Sequence, residues 1–87
     1  MAQDNYTDIR HALYAREPFK GNSCHVAIFG NMYIVTSYRT NILLYDLKDK
    51  KIIVFDNFKY SSTTSKLQNM IRSAFAIDEK ADYIKRV

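Results

Sequence analysis

Apolar residues recur along this chain with two different periods, and the change of period divides it into three stretches. Between Asp4 and Ala15, Tyr6, Ile9 and Leu13 stand three and four residues apart, the spacing that aligns side chains on one face of an α-helix. Asp4 or Asn5 is available to cap its start. Glu17-Pro18 ends it, because the residue before a proline is pushed out of the helical region. From Ser23 to Tyr60 the apolar residues are mostly β-branched or aromatic and fall in short runs: Val26 and Ile28, Tyr33 to Val35, Ile42 to Tyr45, and Ile52 to Phe55. Such runs between turn residues read as strands. Gly30-Asn31 is a two-residue hairpin signal. Lys48-Asp49-Lys50 and Asp56-Asn57 mark later breaks, and Tyr38-Arg39-Thr40-Asn41 a weaker one. Connections this short join only antiparallel neighbours. The expectation is a meander of four strands, or five if Phe58-Lys59-Tyr60 forms another.

The third stretch returns to the helical period. Leu67, Met70, Ile71, Ala74 and Phe75 occupy i, i+3, i+4, i+7 and i+8, one face of a helix. Ser65 with Gln68 three residues later fits a capping box, and Thr63 and Thr64 are alternative caps. Continuing the phase would put Asp78 in the apolar stripe, so the helix should stop near Ala76. Asp78 would then cap a short last helix, with Ala81 and Ile84 inward and Lys85-Arg86 at its C-terminal end. One antiparallel sheet needs a cover for its apolar face, and the Leu67 to Phe75 helix supplies it. The fold class is therefore α+β, with one short helix before the sheet and one after the covering helix.

At 87 residues the chain has room for a single domain, residues 1–87, with one modest core. With 47% hydrophobic and 25% charged residues, two Gly and one Pro, the composition is that of a globular protein. No apolar run exceeds four residues, as in Ile52 to Phe55, far short of the ~18 residues of a membrane span, and Met1 to Asn5 has no basic-then-apolar leader. No membrane partner is expected. A single cysteine suits a reducing cytosol. Thirteen Lys and Arg against nine Asp and Glu leave a net +4, which favours an acidic partner without naming one.

No motif for a reaction emerges, so the chain reads as a non-enzyme without cofactor. His11, Cys24 and His25 are the soft ligands. Adjacent Cys and His on a strand point to opposite faces, unlike a zinc-binding Cys-x-x-Cys, so no metal site is expected. There is no glycine-rich phosphate loop. The carboxylates Asp46, Asp49, Asp56 and Asp78 sit where turns and caps use them. Two clusters exceed the needs of folding. Tyr60 to Ser65 places six hydroxyls before a helix, where Lys59 and Lys66 could add donors around an anion, although capping alone also explains hydroxyls there. Thr36 to Asn41 combines Tyr38 and Arg39, residue types enriched at binding hot spots, although tyrosines in strands commonly fill sheet faces.

The stretch Tyr33 to Ile42 with its Ser37-Tyr38-Arg39-Thr40-Asn41-Ile42, then Tyr45-Asp46, then Tyr60 to Arg72 with its Thr63-Thr64-Ser65-Lys66-Leu67-Gln68-Asn69-Met70-Ile71-Arg72, resembles a family of small tailed-phage proteins that carry "SY-x-T-x-I" and "TTSK-x-QN-x-IR" segments. Pro18 to Ser23 resembles the lead-in of that family, so the likeness runs from residue 18 to residue 73. It implies a phage origin and the host bacterial cytoplasm, and it implies no reaction. Small phage proteins commonly act by blocking a host or defence protein. The leading expectation is such an inhibitor, an anti-CRISPR protein acting on a CRISPR effector being the specific version, with Tyr38, Arg39, Lys59, Tyr60, Lys66 and Arg72 as partner-binding residues. The alternative is a small basic nucleic-acid-binding protein, with the sheet's tyrosines stacking on bases and Lys59, Lys66 and Arg72 on phosphates. A second copy of the chain is a third candidate partner, through an unprotected sheet edge. Lys48, Lys50, Lys51 and Lys59 would guard part of that edge.

Overall fold

The computed structural model describes residues 6–21 and 23–85. The first helix, α1, spans Tyr6–Ala15 and buries Ile9, Ala12 and Leu13, so the helix holds with Ile9 and Leu13 on its inner face, while Tyr6 is exposed. The expected caps Asp4 and Asn5 lie outside the described residues. After Pro18 a two-residue strand β1 (Phe19–Lys20) leads into β2 (Cys24–Phe29), β3 (Met32–Ser37), β4 (Thr40–Asp46) and β5 (Lys51–Asp56). These five strands pair antiparallel in chain order, as their short connections require.

The rest of the chain differs from expectation in three places. Phe58 to Tyr60 forms no strand, because Asp56 folds its carboxylate back onto the amide of Phe58 at 2.9 Å and turns the chain away from the sheet. The second helix, α2, spans Ser62–Phe75. No helix follows it among the described residues. Instead Asp78 accepts from the amide of Lys80 at 3.0 Å, a local turn, and the chain ends in β6 (Ile84–Lys85), which pairs parallel with β5. Asp78 thus organises a turn rather than a helix, while Ile84 does face the core at 6% exposure. A parallel partner is reachable because α2 and its flanking turns form the long crossover that parallel pairing needs. The edge strands of the six-stranded sheet are two residues long, and β6 pairs only with Phe55 and Asp56 of β5, so Lys51 stands on the part of β5 without an outer partner, where a charge discourages pairing with a second copy.

Strand β3 alternates strictly, with Tyr33, Val35 and Ser37 buried and Met32, Ile34 and Thr36 half-buried. A bulge interrupts its pairing with β4: Val35 faces Leu43 and Thr36 faces Asn41, which leaves Ile42 extra. Consecutive Ile42 and Leu43 both reach the core, each at 0% exposure, because a bulge breaks the two-residue alternation. Both helices pack on one face. Ile9 and Leu13 of α1 and Leu67, Met70, Ile71 and Phe75 of α2 share one core with Val26, Tyr33, Val35, Tyr45, Phe55 and Ile84. Each fully buried Leu or Ile there contributes about 1.5–3 kcal/mol relative to an exposed one. The Tyr33 hydroxyl donates to the carbonyls of Ala12 and Glu17, each at 3.1 Å, which ties the end of α1 to the sheet. On the opposite face Ala27, Ile34, Leu44 and Val54 are register partners in a half-buried apolar row.

Both helices end alike. Arg16 (φ 56°) and Ala76 (φ 50°) adopt the left-handed conformation. Behind them, the amide of Glu17 donates to Ala12 and that of Ile77 to Arg72, the six-to-one bond of a Schellman end. Glycine is the usual residue here, and a side chain costs about 1–2 kcal/mol. Arg16 offsets that cost. Its guanidinium lies 3.7 Å from the Phe75 ring centroid and donates to Leu13 at 2.6 Å and Ala74 at 3.3 Å. One cation thus binds terminal carbonyls of both helices. Ala76 has no such compensation. Ala76→Gly should therefore raise the unfolding free energy by about 1 kcal/mol, and Arg16→Gly should lower it by at least as much. Urea unfolding of the two variants checks the opposite signs.

Candidate partner-binding site

The entry to α2 is built from hydroxyls. Ser61, in an extended conformation, is the N-cap, and its side chain accepts from the amide of Thr64 at 3.2 Å. The helix therefore begins earlier than a capping box at Ser65 predicts, and Thr63, Thr64 and Ser65 lie inside it. Thr64 is 2% exposed because its hydroxyl meets that of Ser37 on β3 at 2.8 Å. Gln68, one turn on and 3% exposed, donates its amide to the carbonyls of Asp56 at 2.8 Å and Phe58 at 3.0 Å. Asp56 is itself buried. Its carboxylate accepts from the amide of Phe58 and, at 2.6 Å, from the hydroxyl of Tyr60. The hydroxyl-rich segment is thus largely spent on fastening α2 to β3 and β5.

This fastening brings the two clusters singled out in the sequence together. Tyr38 and Thr40 from the β3–β4 turn and Tyr60 and Ser61 from the α2 entry rim a cavity of about 310 Å³, and Ser37 and Thr64 form its floor. No cation lines it, so the anion site considered around Tyr60 to Ser65 gains no charge partner there. The Tyr60 ring is 44% exposed and stacks edge-on against Phe58 at 4.8 Å, while its hydroxyl is anchored to Asp56. Tyr38 is 60% exposed and holds φ 55°. It occupies the first central position of a two-residue hairpin turn, since Ser37 pairs with Thr40. The Gly30-Asn31 hairpin uses a glycine at the equivalent position, with φ 59°. A positive φ there is the type II′ pattern, for which glycine is the fitting residue. Tyr38 carries strain of order 1–3 kcal/mol, and its amide is held by the carbonyl of Ser23 at 2.7 Å.

The six residues singled out divide among neighbouring patches. Tyr38 and Tyr60 share the cavity, and Arg39 is exposed in the same turn. Lys59 and Arg72 line a separate recess with Asn57 and Gln68. Lys66 faces α1, with its ammonium 5.4 Å from the Tyr6 ring centroid. Arg72 is held within the fold: it pairs with Glu79 at 2.8 Å, donates to Asn69 at 2.8 Å and to Asn57, and lies over Phe55. Of the sheet tyrosines, Tyr33 and Tyr45 are buried. Cys24 is buried and His25 exposed, on opposite faces as their adjacency predicts. His11 lies 3.8 Å from Glu17. Among the described residues no group of three or more His, Cys, Asp or Glu is placed to hold a metal ion.

Sequence reasoning missed Arg16, the pairing of Ser37 with Thr64 and the stripe of Tyr6, Arg10 and Tyr14 on α1. The last carries a signal that could have found it, since i, i+4 and i+8 fall on one helix face. Compared with known proteins, the chain matches no family model, no curated protein and no solved structure.

Burial raises the pKa of Tyr33 well above the ordinary tyrosine value, and the hydrogen bond to Asp56 raises that of Tyr60. The folded state thus favours the neutral phenols. The stability they supply is complete below about pH 10, the ordinary value, and is lost as pH climbs toward the raised values. Tyr60→Phe should therefore lose less stability than the parent chain on going from roughly pH 9 to pH 11, measured by urea unfolding at both. Gln68→Leu, which strips the donor from two carbonyls, should cost about 2 kcal/mol at neutral pH in the same measurement.

Proposed function

We propose that this chain is a non-enzymatic binding protein that acts by occupying the surface of a larger macromolecule. In the phage setting that its sequence resemblance implies, it inhibits a host or defence protein in the bacterial cytoplasm, and a CRISPR effector is the first candidate to test. One observation carries this reading. A tyrosine sits, strained and exposed, at a turn position where glycine would serve the fold better. Backbone strain persists where something other than stability selects for it. Tyr38 stands beside Arg39 and across a small cavity from Tyr60, whose hydroxyl is already anchored. Such a ring loses little further freedom on binding, which suits a hot spot.

The charge narrows the partner. Inhibitors that imitate DNA are acidic, whereas this chain carries +4. The surface it occupies is then acidic or neutral, with Arg39 beside Tyr38 in the exposed turn and Lys59 adjoining Tyr60 in the chain.

Tyr38→Gly separates the fold from the function. It should stabilise the chain by about 1 kcal/mol by relieving the turn and weaken partner capture by thirtyfold or more, the effect of removing a hot-spot aromatic. The check is affinity purification from host cells that express a CRISPR effector, with the parent chain and Tyr38→Gly side by side, followed by titration of the stoichiometric protein recovered. A variant that binds as well as the parent, or a parent that recovers no stoichiometric protein, contradicts the proposal.

A further inference from the structure

Between α1 and α2 lies a second and larger cavity, of about 630 Å³, away from the Tyr38–Tyr60 rim. Tyr6, Arg10 and Tyr14 line it from α1, and Lys66, Asn69, Met70 and Ser73 from α2. Its volume falls within the range of small-ligand sites, and its lining has an unusual chemistry. Two of the seven residues are cations, two are exposed tyrosines, and none is a carboxylate. Asp8, the acidic residue in the first turn of α1, lies two residues from both Tyr6 and Arg10 and so points away from this face. Among the described residues neither Arg10 nor Lys66 has a carboxylate within ion-pair distance. Among the described residues the groove therefore holds two cations with no internal counter-charge.

We propose that this groove binds single-stranded nucleic acid, with Tyr14 stacking on a base and Arg10 and Lys66 holding flanking phosphates. Tyr14 is 56% exposed, so its ring face is open. Arg10 stands one helical turn before it on the same face, about 6 Å along the axis. The Lys66 ammonium is steered into the groove by the Tyr6 ring, at 5.4 Å, which makes Tyr6 a positioning residue. Asn69 has its side-chain oxygen engaged by Arg72 and offers its NH₂ as a donor, and Ser73 adds a hydroxyl. Buried Met70 provides an apolar, polarisable floor.

The lining argues against other anions. An acidic peptide would use the cations and leave the tyrosine faces idle, and an apolar helix would find a single apolar side chain among the seven. Bases with phosphates use both parts, which is how sequence-tolerant single-strand sites are built. The proposal needs neither Tyr38 nor Tyr60, so it stands or falls separately from the inhibitor reading.

The test is fluorescence anisotropy of a labelled oligodeoxythymidylate of roughly ten nucleotides, titrated with the full chain at roughly 50 and 200 mM salt. Saturable binding that weakens with salt is expected. Arg10→Ala and Lys66→Ala should each lower the log–log salt slope by about 0.7, the value of one phosphate contact on a single strand. Tyr14→Ala should weaken binding at least fivefold with the slope unchanged, Tyr14→Phe should restore it, and Tyr38→Gly should leave it intact. The substituted side chains are exposed, and matching thermal melts confirm that the fold persists. Absent binding at low salt, wild-type affinity in Tyr14→Ala, or equal competition by a polyglutamate peptide of the same charge would each overturn the proposal.

Discussion

The hydroxyls of Ser37 and Thr64, 2.8 Å apart in the interior, join the first turn of α2 to the middle of the sheet. One turn later the Gln68 amide reaches the carbonyls of Asp56 and Phe58. These buried polar bonds do what the apolar stripe of α2 cannot do alone. Leu67, Met70, Ile71 and Phe75 would bury themselves at many rotations and shifts of the helix, because hydrophobic contact has no direction. A buried hydroxyl or amide tolerates only the placement that satisfies it, since an unmet partner costs about 1–3 kcal/mol. The polar junction therefore selects one seating of α2 among several that the core would accept. Among the described residues no buried side-chain nitrogen or oxygen lacks a partner, so the selection is complete.

That seating has consequences at both ends of the helix. At the N-terminal end it sets Tyr60 beside the β3–β4 turn, so two segments some twenty residues apart in sequence share one cavity. At the C-terminal end it delivers the Ala74 carbonyl and the Phe75 ring to Arg16, which closes α1 and α2 together. The same pose leaves the groove of Tyr6, Arg10, Tyr14 and Lys66 between the helices. Fold and candidate surfaces thus share one cause.

What could be read in advance follows from the range of each signal. The period of Tyr6, Ile9 and Leu13, the stripe from Leu67 to Phe75, the strand runs and the Gly30-Asn31 turn are local patterns, and all appear in the structure. The antiparallel order of β2 to β5 followed from connection length alone, whereas the two-residue strand Phe19–Lys20 carried no signal of its own. The parallel strand Ile84–Lys85 did not. Two residues carry no period, and their pairing is decided by where α2 sets the chain down. Asp78 was legible as a residue that binds a nearby amide, but the same chemistry serves a helix cap and a turn. The cap of α2 was misplaced for a related reason: Ser61, Thr63, Thr64 and Ser65 are locally equivalent, and a hydroxyl on a distant strand decides which is spent on the sheet. The strain at Tyr38 was invisible because nothing in a Tyr-Arg pair announces a turn built for glycine.

The most direct test of this account is a double-mutant cycle on the junction, with Ser37→Ala, Thr64→Val and the pair compared by urea unfolding. The account predicts a coupling of about 1 kcal/mol, so that the second substitution costs much less once the first is made. Strictly additive losses would mean that the two hydroxyls do not act on each other, and that something else seats the helix.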